Sequence, residues 1–189
     1  MTQPVRVAVL VSGGGTNLQT LLDSLQQSSV ARIARVISNR PDAGALARAR
    51  RAGVQTTVLR DPGDAAELLA ALEGAQLVVL AGYLKLVPRA VVSQFRGRMI
   101  NIHPALLPDF GGPGMYGHRV HAAVLASGAT ESGATVHFVD EAFDRGPIIA
   151  QEKVPVKPGD DAETLAARVL EAEHRLLPRV VLDLARRIS

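Results

Sequence analysis

The chain predicts an α/β fold, a doubly wound and mostly parallel sheet with helices on both faces and an antiparallel edge. Three observations lead there. Val5-Arg6-Val7-Ala8-Val9-Leu10-Val11 is nearly continuous apolar sequence, the pattern of a strand buried on both faces of a parallel sheet. Apolar runs of this kind then alternate with stretches of helical spacing, the rhythm of right-handed βαβ units. Beyond residue 130 the alternation stops, and two strand-like runs, Ala134 to Val139 and Ile148 to Val156, follow one another.

The elements between them read in order. Leu18 to Leu25 has helical apolar spacing, and Ile33-Ala34-Arg35-Val36-Ile37 is a strand that ends at Ser38-Asn39-Arg40-Pro41. Ala43 to Ala52 is an alanine-rich helix stopped by Gly53. Val54 to Leu59 reads as a strand, Ala65 to Leu72 as a helix closed by Gly74, and Leu77-Val78-Val79-Leu80-Ala81 as a central strand. Pro88 opens a helix to Phe95, and Met99-Ile100-Asn101-Ile102 is the fifth strand. His103 to Gly117 is a Gly- and Pro-rich loop, unusually long for a compact domain and for that reason a functional candidate. A helix from about Val120 to Ala126 follows it, and the chain closes with a helix from about Ala162 to Ala185, with Pro178 the point at which it would kink.

A length of 189 residues, 47% hydrophobic and 21% charged, suits one domain, 1–189, with a real core. The absence of cysteine excludes disulfides, a cysteine nucleophile and thiolate metal sites. Lysine and arginine number 21 against 18 acids, a net charge of +3. The densest basic clusters, Arg48-Ala49-Arg50-Arg51 and Arg186-Arg187, read as solvated helix faces. With four Phe, two Tyr and no Trp there is little to stack on bases, so nucleic acid is not an expected partner. No apolar run nears the roughly 20 residues of a membrane helix, and Thr2-Gln3-Pro4 leads into the first strand without a charged leader. A soluble, cytoplasmic chain that does not engage membranes is expected.

Two stretches stand out chemically. Ser12-Gly13-Gly14-Gly15-Thr16-Asn17 joins the first strand to the first helix, where backbone amides and the helix dipole favour a phosphate. It is not a Walker loop, and the dinucleotide fingerprint fails at Leu18. A turn required only for tight packing is the competing reading. Asn101-Ile102-His103-Pro104 ends the fifth strand, so Asn101 and His103 share a face at the sheet's carboxyl edge, where open α/β sheets bind ligands. The imidazole can move protons and the amide can donate to a developing oxyanion, although both could simply cap the loop. Asp144, alone, reads as a turn former. His118 and His121 share a helical face but lack an obvious acid partner, and no metal site is expected. Glu173-His174 reads as a solvated pair, although its carboxylate could accept from ribose hydroxyls.

Together, Ser12-Gly13-Gly14-Gly15-Thr16-Asn17-Leu18-Gln19, Leu80-Ala81-Gly82-Tyr83-Leu84, Asn101-Ile102-His103-Pro104-Ala105-Leu106-Leu107-Pro108, Thr135-Val136-His137-Phe138-Val139 and Asp144-Arg145-Gly146-Pro147-Ile148-Ile149 resemble the glycinamide ribonucleotide transformylases, the folate-dependent formyltransferases of purine synthesis. The resemblance runs in order along nearly the whole chain. It implies a Rossmann-like formyltransferase fold, with about 1–100 a phosphate- and nucleotide-binding half and about 101–189 a catalytic and folate-binding half. It implies 10-formyltetrahydrofolate as co-substrate, glycinamide ribonucleotide as acceptor, no metal, and a monomer or homodimer acting on small molecules. By resemblance, Gly15, Thr16 and Asn17 contact the phosphate and Glu173 holds the ribose. Leu84, Lys85, Leu86 and Val87 form the wall that takes the pterin, with Asp140 to Asp144 closing over it. Asn101, His103 and Asp144 match the catalytic set, with Asn101 and Asp144 also facing the folate.

In this chemistry the substrate's amine attacks the formyl carbon, and Asn101 with protonated His103 supplies donors to the oxyanion, each typically worth roughly 3–4 kcal/mol. Asp144 is expected to raise the His103 pKa by favouring imidazolium. The chain departs from the family in carrying Lys85 where arginine is usual, in having no clear match near Arg60-Asp61-Pro62-Gly63 to an arginine often found there, and in its longer, glycine-rich Phe110 to Gly117 loop. Its 189 residues predict neither the RNA-binding domain of methionyl-tRNA formyltransferases nor the regulatory domain of formyltetrahydrofolate deformylases. The competing activities are hydrolysis of the formyl folate, transfer to a different phosphorylated amine, and phosphate binding without turnover.

Overall fold

The computed structural model describes residues 3–188; Met1, Thr2 and Ser189, the ends of the expected 1–189 unit, lie outside the described residues. The elements are β1 (Val5–Val11), α1 (Thr16–Leu25), β2 (Ala31–Ser38), α2 (Gly44–Arg51), β3 (Gln55–Val58), α3 (Ala65–Ala71) and β4 (Leu77–Leu80). They continue with α4 (Arg89–Gln94), β5 (Met99–His103), α5 (His118–Ala126), β6 (Glu131–Phe138), β7 (Ile148–Pro155) and α6 (Ala162–Ile188). The strands form one sheet in the order β3-β2-β1-β4-β5-β6-β7. β1 to β5 pair in parallel, while β6 on β5 and β7 on β6 are antiparallel. Both expected halves therefore contribute to a single sheet.

β1 shows why its sequence has no polar alternation. Val5, Val7, Val9 and Val11 enter a core shared with α1, α2, α5 and α6, whereas Ala8 and Leu10 enter a second core with α3 and α4. With helices on both faces, every position of the strand except the half-buried Arg6 is removed from water. The doubly wound order also reverses at β1, which lies between β2 and β4. The segments that leave the ends of β1, β4 and β5 consequently open on one crevice.

The boundaries differ from the sequence reading where pairing or packing extends an element. β6 starts at Glu131 rather than Ala134, because Glu131 to Gly133 pair with Lys153 to Pro155. β5 includes His103, which pairs with Thr135. α5 starts at His118, two residues early. α6 remains helical through Pro178, with Leu165, Val169, Ala172, Leu176 and Val180 buried along its inner stripe. That burial outweighs the hydrogen bond a proline removes.

The start of α1 carries a sharper constraint. Gly15, its N-cap, has φ 77° and no side-chain cap. A Cβ there would lie 2.6 Å from the Ala45 Cβ and 2.7 Å from its Cα, whereas a Cβ on Gly13 or Gly14 meets nothing within 4 Å. Gly15→Ala is expected to cost about 2–3 kcal/mol of stability through left-handed strain and overpacking against α2. Gly13→Ala is expected to change it by less than about 0.5 kcal/mol. Urea unfolding of the two variants checks the difference, and equal losses would contradict it.

Candidate functional site

The antiparallel pairing of β5 with β6 sets Asn101 opposite His137 and His103 opposite Thr135. Asp144 reaches this pair from the loop between β6 and β7. Gly146 packs so closely on the Phe138 carbonyl that no Cβ would fit, and Phe138 donates its amide to the Pro147 carbonyl at 2.9 Å. The loop is thereby pinned to the end of β6, and Asp144 itself takes φ 55°, a left-handed conformation that Asp tolerates better than most residues. Its carboxylate meets four groups. Asn101 Nδ2 donates to Oδ1 at 3.3 Å, the Gly112 amide donates to Oδ2 at 3.0 Å, His103 Nδ1 lies 3.5 Å from Oδ2, and His137 Nε2 lies 3.5 Å from Oδ1. The His103 and Asp144 side chains are 4% and 9% exposed.

The ring nitrogens are assigned by their partners. His137 Nδ1–H donates to the Phe138 carbonyl at 2.8 Å, leaving Nε2 to accept from Asn101 Nδ2 at 3.1 Å. His103 Nε2–H donates to the Phe110 carbonyl at 2.8 Å, which turns Nδ1 to Asp144. Both Asn101 and His103 are held through groups that can donate to a substrate.

Charge follows from burial. Burial depresses the His103 pKa, Asp144 and the Phe110 carbonyl pull it up, and burial prevails, so it lies below the ordinary histidine value. Asp144 raises the imidazole's pKa as expected, but desolvation of the imidazolium exceeds that pull, so the expected protonated His103 is corrected to an imidazole held below its ordinary value. For Asp144, burial pushes upward, but the neighbouring His137 side chain, the His103 charge and the Gly112 amide together hold the carboxyl below its ordinary value.

These groups line a cavity of about 650 Å³. Leu84, Lys85, Leu86 and Val87 form one wall, with Leu84 and Leu86 about half exposed and Val87 buried. Asp140 also lines the cavity and holds the turn beside it, accepting the Ala142 amide at 3.0 Å. A second wall is one face of α6, built from Glu163, Ala166, Ala167, Leu170 and Glu173. The loop before α5 adds Met115 and Tyr116, and α5 adds His118, exposed, and His121, buried. Among the described residues no group of three or more His, Cys, Asp or Glu side chains could hold a metal ion, and no helix is long and apolar enough to cross a membrane.

The Gly-rich loop meets this cavity only in part. Asn17 lines it, whereas Gly15 and the exposed Thr16 stand at the start of α1 beside it. Asn17 Nδ2 donates to Glu173 Oε2 at 2.6 Å, and Asn17 Oδ1 is buried without a partner among the described residues. Glu173, expected to be solvated, is 8% exposed. Ser12 connects the loop to the apolar wall: its hydroxyl donates to Asn39 Oδ1 at 2.6 Å and accepts the Leu84 amide at 2.9 Å.

Sequence reasoning assigned no site role to His137, Ser12, His121 or the Gly112 amide. His137 was legible in part, because its strand pairs with Asn101's and both lie at one edge. Ser12 opens a recognised loop, but its partner 72 positions away follows only from strand order. Nothing in the sequence signals that the Gly112 amide turns onto Asp144.

The chain matches the formyl transferase family over residues 5–181. It is 45% identical over 186 residues to a chloroplastic phosphoribosylglycinamide formyltransferase of Arabidopsis thaliana, covering 93% of this chain and 64% of the relative. With the Vigna unguiculata counterpart the share of the relative is 59%, so the chain spans about three fifths of these two plant proteins. The Escherichia coli phosphoribosylglycinamide formyltransferase is 39% identical, with 94% of this chain and 85% of the relative covered. The solved phosphoribosylglycinamide formyltransferase of Anaplasma phagocytophilum superposes with a TM-score of 0.90 at 37% identity, covering 97% of this chain and 87% of the other. The glycinamide ribonucleotide transformylase 1 of Symbiobacterium toebii does so at 0.89 and 42%, covering 98% and 90%.

Glu173 makes the site's charge measurable. Burial pushes its carboxyl up to about 7, against the lowering effect of the Asn17 amide. Between its ordinary value of 4.5 and about 7 the folded chain keeps a proton that the unfolded chain has released. Stability therefore falls as pH rises through that window and levels off above it. Relative to Glu173→Gln, the protein is expected to lose on the order of 3 kcal/mol between pH 4 and pH 8. Urea unfolding at the two pH values measures this, and identical pH slopes would show an ordinary carboxylate.

Proposed function

The chain belongs to the formyl transferase family, and on that premise we propose that it transfers the formyl group of 10-formyltetrahydrofolate to the amine of 5-phosphoribosylglycinamide, giving formylglycinamide ribonucleotide and tetrahydrofolate in de novo purine biosynthesis. The carrying observation is the convergence of Asn101, His103 and Asp144 on one cavity, flanked on one side by an apolar wall and on another by a polar pair, Asn17 and Glu173.

The residues divide the work. Leu84, Leu86 and Val87 offer apolar surface to the pterin, Lys85 a point charge to the acidic folate tail, and Asp140 to Asp144 the turn that closes over it. A cavity of about 650 Å³ has the size of a small-molecule site. Gly15, Thr16 and Asn17 hold the phosphate and Glu173 the ribose hydroxyls. His103, neutral near pH 7 because it is buried, accepts the proton released by the attacking nitrogen and becomes an imidazolium paired with Asp144. In that state it donates to the negative formyl oxygen together with Asn101, each exchanging a protein acceptor for the oxyanion. His103 then delivers the proton to N10 of the departing folate, so the amine's proton ends on tetrahydrofolate and the charges balance. The chain acts on small molecules, as a monomer or homodimer, in the cytoplasm; the Arabidopsis relative carries a chloroplastic name.

A spectrophotometric assay with glycinamide ribonucleotide and 10-formyltetrahydrofolate tests the reading. Product is expected only with both substrates; folate cleavage without the ribonucleotide would make the chain a hydrolase. Asn101→Ala and His103→Ala should each lower kcat by roughly 10²–10³ with little change in KM, and an unchanged kcat removes that residue's role. Asp144→Asn should move the His103-dependent limb of the pH–rate profile to lower pH, because the upward pull on the imidazole is lost. An unmoved limb would mean that Asp144 does not tune His103.

A further inference from the structure

Arg48, on α2, does not line the cavity and does not lie on a purely solvated face as its sequence cluster suggests. Its Nε donates to the Gly14 carbonyl at 2.8 Å and its Nη1 to Gln19 Oε1 at 3.3 Å. Near the start of the same helix, the Ala45 amide donates to the Gly13 carbonyl at 3.1 Å. α2 therefore receives two consecutive carbonyls of the Gly-rich loop. In a trans peptide the N–H points opposite to the C=O, so the Gly14 and Gly15 amides are turned away from α2. They precede the first turn of α1, whose amides have no intrahelical acceptor and no side-chain cap.

Packing does not explain glycine at positions 13 and 14. An added Cβ meets no atom within 4 Å at either, and neither has the positive φ found at Gly15. What a side chain would obstruct there is the approach of a ligand to the backbone. Arg48 also gives its hydrogen bonds to neutral oxygens, so they do not cancel its charge.

We infer that Arg48 is a positioning residue for the substrate's phosphate: it fixes the Gly14–Gly15 peptide with the amide outward and, as a cation on that carbonyl, strengthens the Gly15 N–H as a donor. The inference rests on the proposed reading of Gly15 to Asn17 as phosphate contacts and adds a residue that never touches the substrate.

Isotope-labelled protein titrated with inorganic phosphate, followed at the Gly15, Thr16 and Asn17 amides, gives a binding constant that needs no turnover. Arg48→Met is expected to raise the phosphate Kd about tenfold, and Arg48→Lys, which keeps charge but loses the fixed guanidinium, about threefold. The KM for glycinamide ribonucleotide should rise in parallel while kcat and the folate KM stay within twofold. An unchanged phosphate Kd in folded Arg48→Met overturns the inference, as does a folate KM that rises equally, which would mark general loosening. Should Arg48→Met not fold, an unchanged Kd in Arg48→Lys overturns it. Wild-type protein whose loop amides ignore phosphate refutes the phosphate reading and this inference with it. Wild-type protein that binds phosphate but does not formylate the ribonucleotide refutes the proposed activity and leaves the Arg48 comparison standing.

Discussion

The arrangement depends above all on one carboxylate below the surface. Asp144 is met by an amide side chain, two imidazoles and a backbone amide from three segments, β5, β6 and the loop after β5, and it ties all three to its own loop. Burying a charge is costly unless it is paired and hydrogen-bonded, and here each oxygen has partners. The same saturation explains why the carboxyl stays below its ordinary value while the neighbouring imidazole, with fewer compensating partners, does not stay charged. Burial lowers the base, whereas the acid is lowered by its partners in spite of burial.

A second constraint links the ends of the sheet. In the order β2-β1-β4-β5, the segments leaving β1 and β4 are neighbours although 72 residues separate Ser12 from Leu84. The Ser12 hydroxyl occupies the junction and is 2% exposed, accepting from one segment and donating to another. Glycine supplies the complementary device. Gly15 lets α1 start against Ala45, and Gly146 brings the Asp144 loop onto β6. Distances of a few tenths of an ångström in the site therefore follow from residues that perform no chemistry.

Much of this was legible before any coordinates. Val5–Val11 announces two-sided burial, and the spacing of Asn101 and His103 on one strand face fixes their common direction. The roles of Asp144 and Glu173 were not legible from the residues alone. One reads as a turn former and the other as a solvated helical acid, because sequence shows neither how deeply the turn between the two antiparallel runs buries Asp144 nor the packing of α6 on α1 that buries Glu173. The net shift on His103 was misjudged for a related reason: a charge partner can be guessed from a motif, whereas the depth at which the pair is buried depends on the whole chain.

α6 serves two purposes along its 27 residues. Leu165, Val169 and Leu176 close the principal core, and Glu163, Leu170 and Glu173, interleaved with them, face the cavity. Core and wall are thus two sides of the same turns. Local opening of those turns would remove buried apolar contacts as well as one side of the pocket, so this wall belongs to the most protected cooperative unit of the fold rather than to a mobile lid. The glycine-rich segment before α5 and the Asp140 to Asp144 turn, which also line the cavity, contribute little to either core.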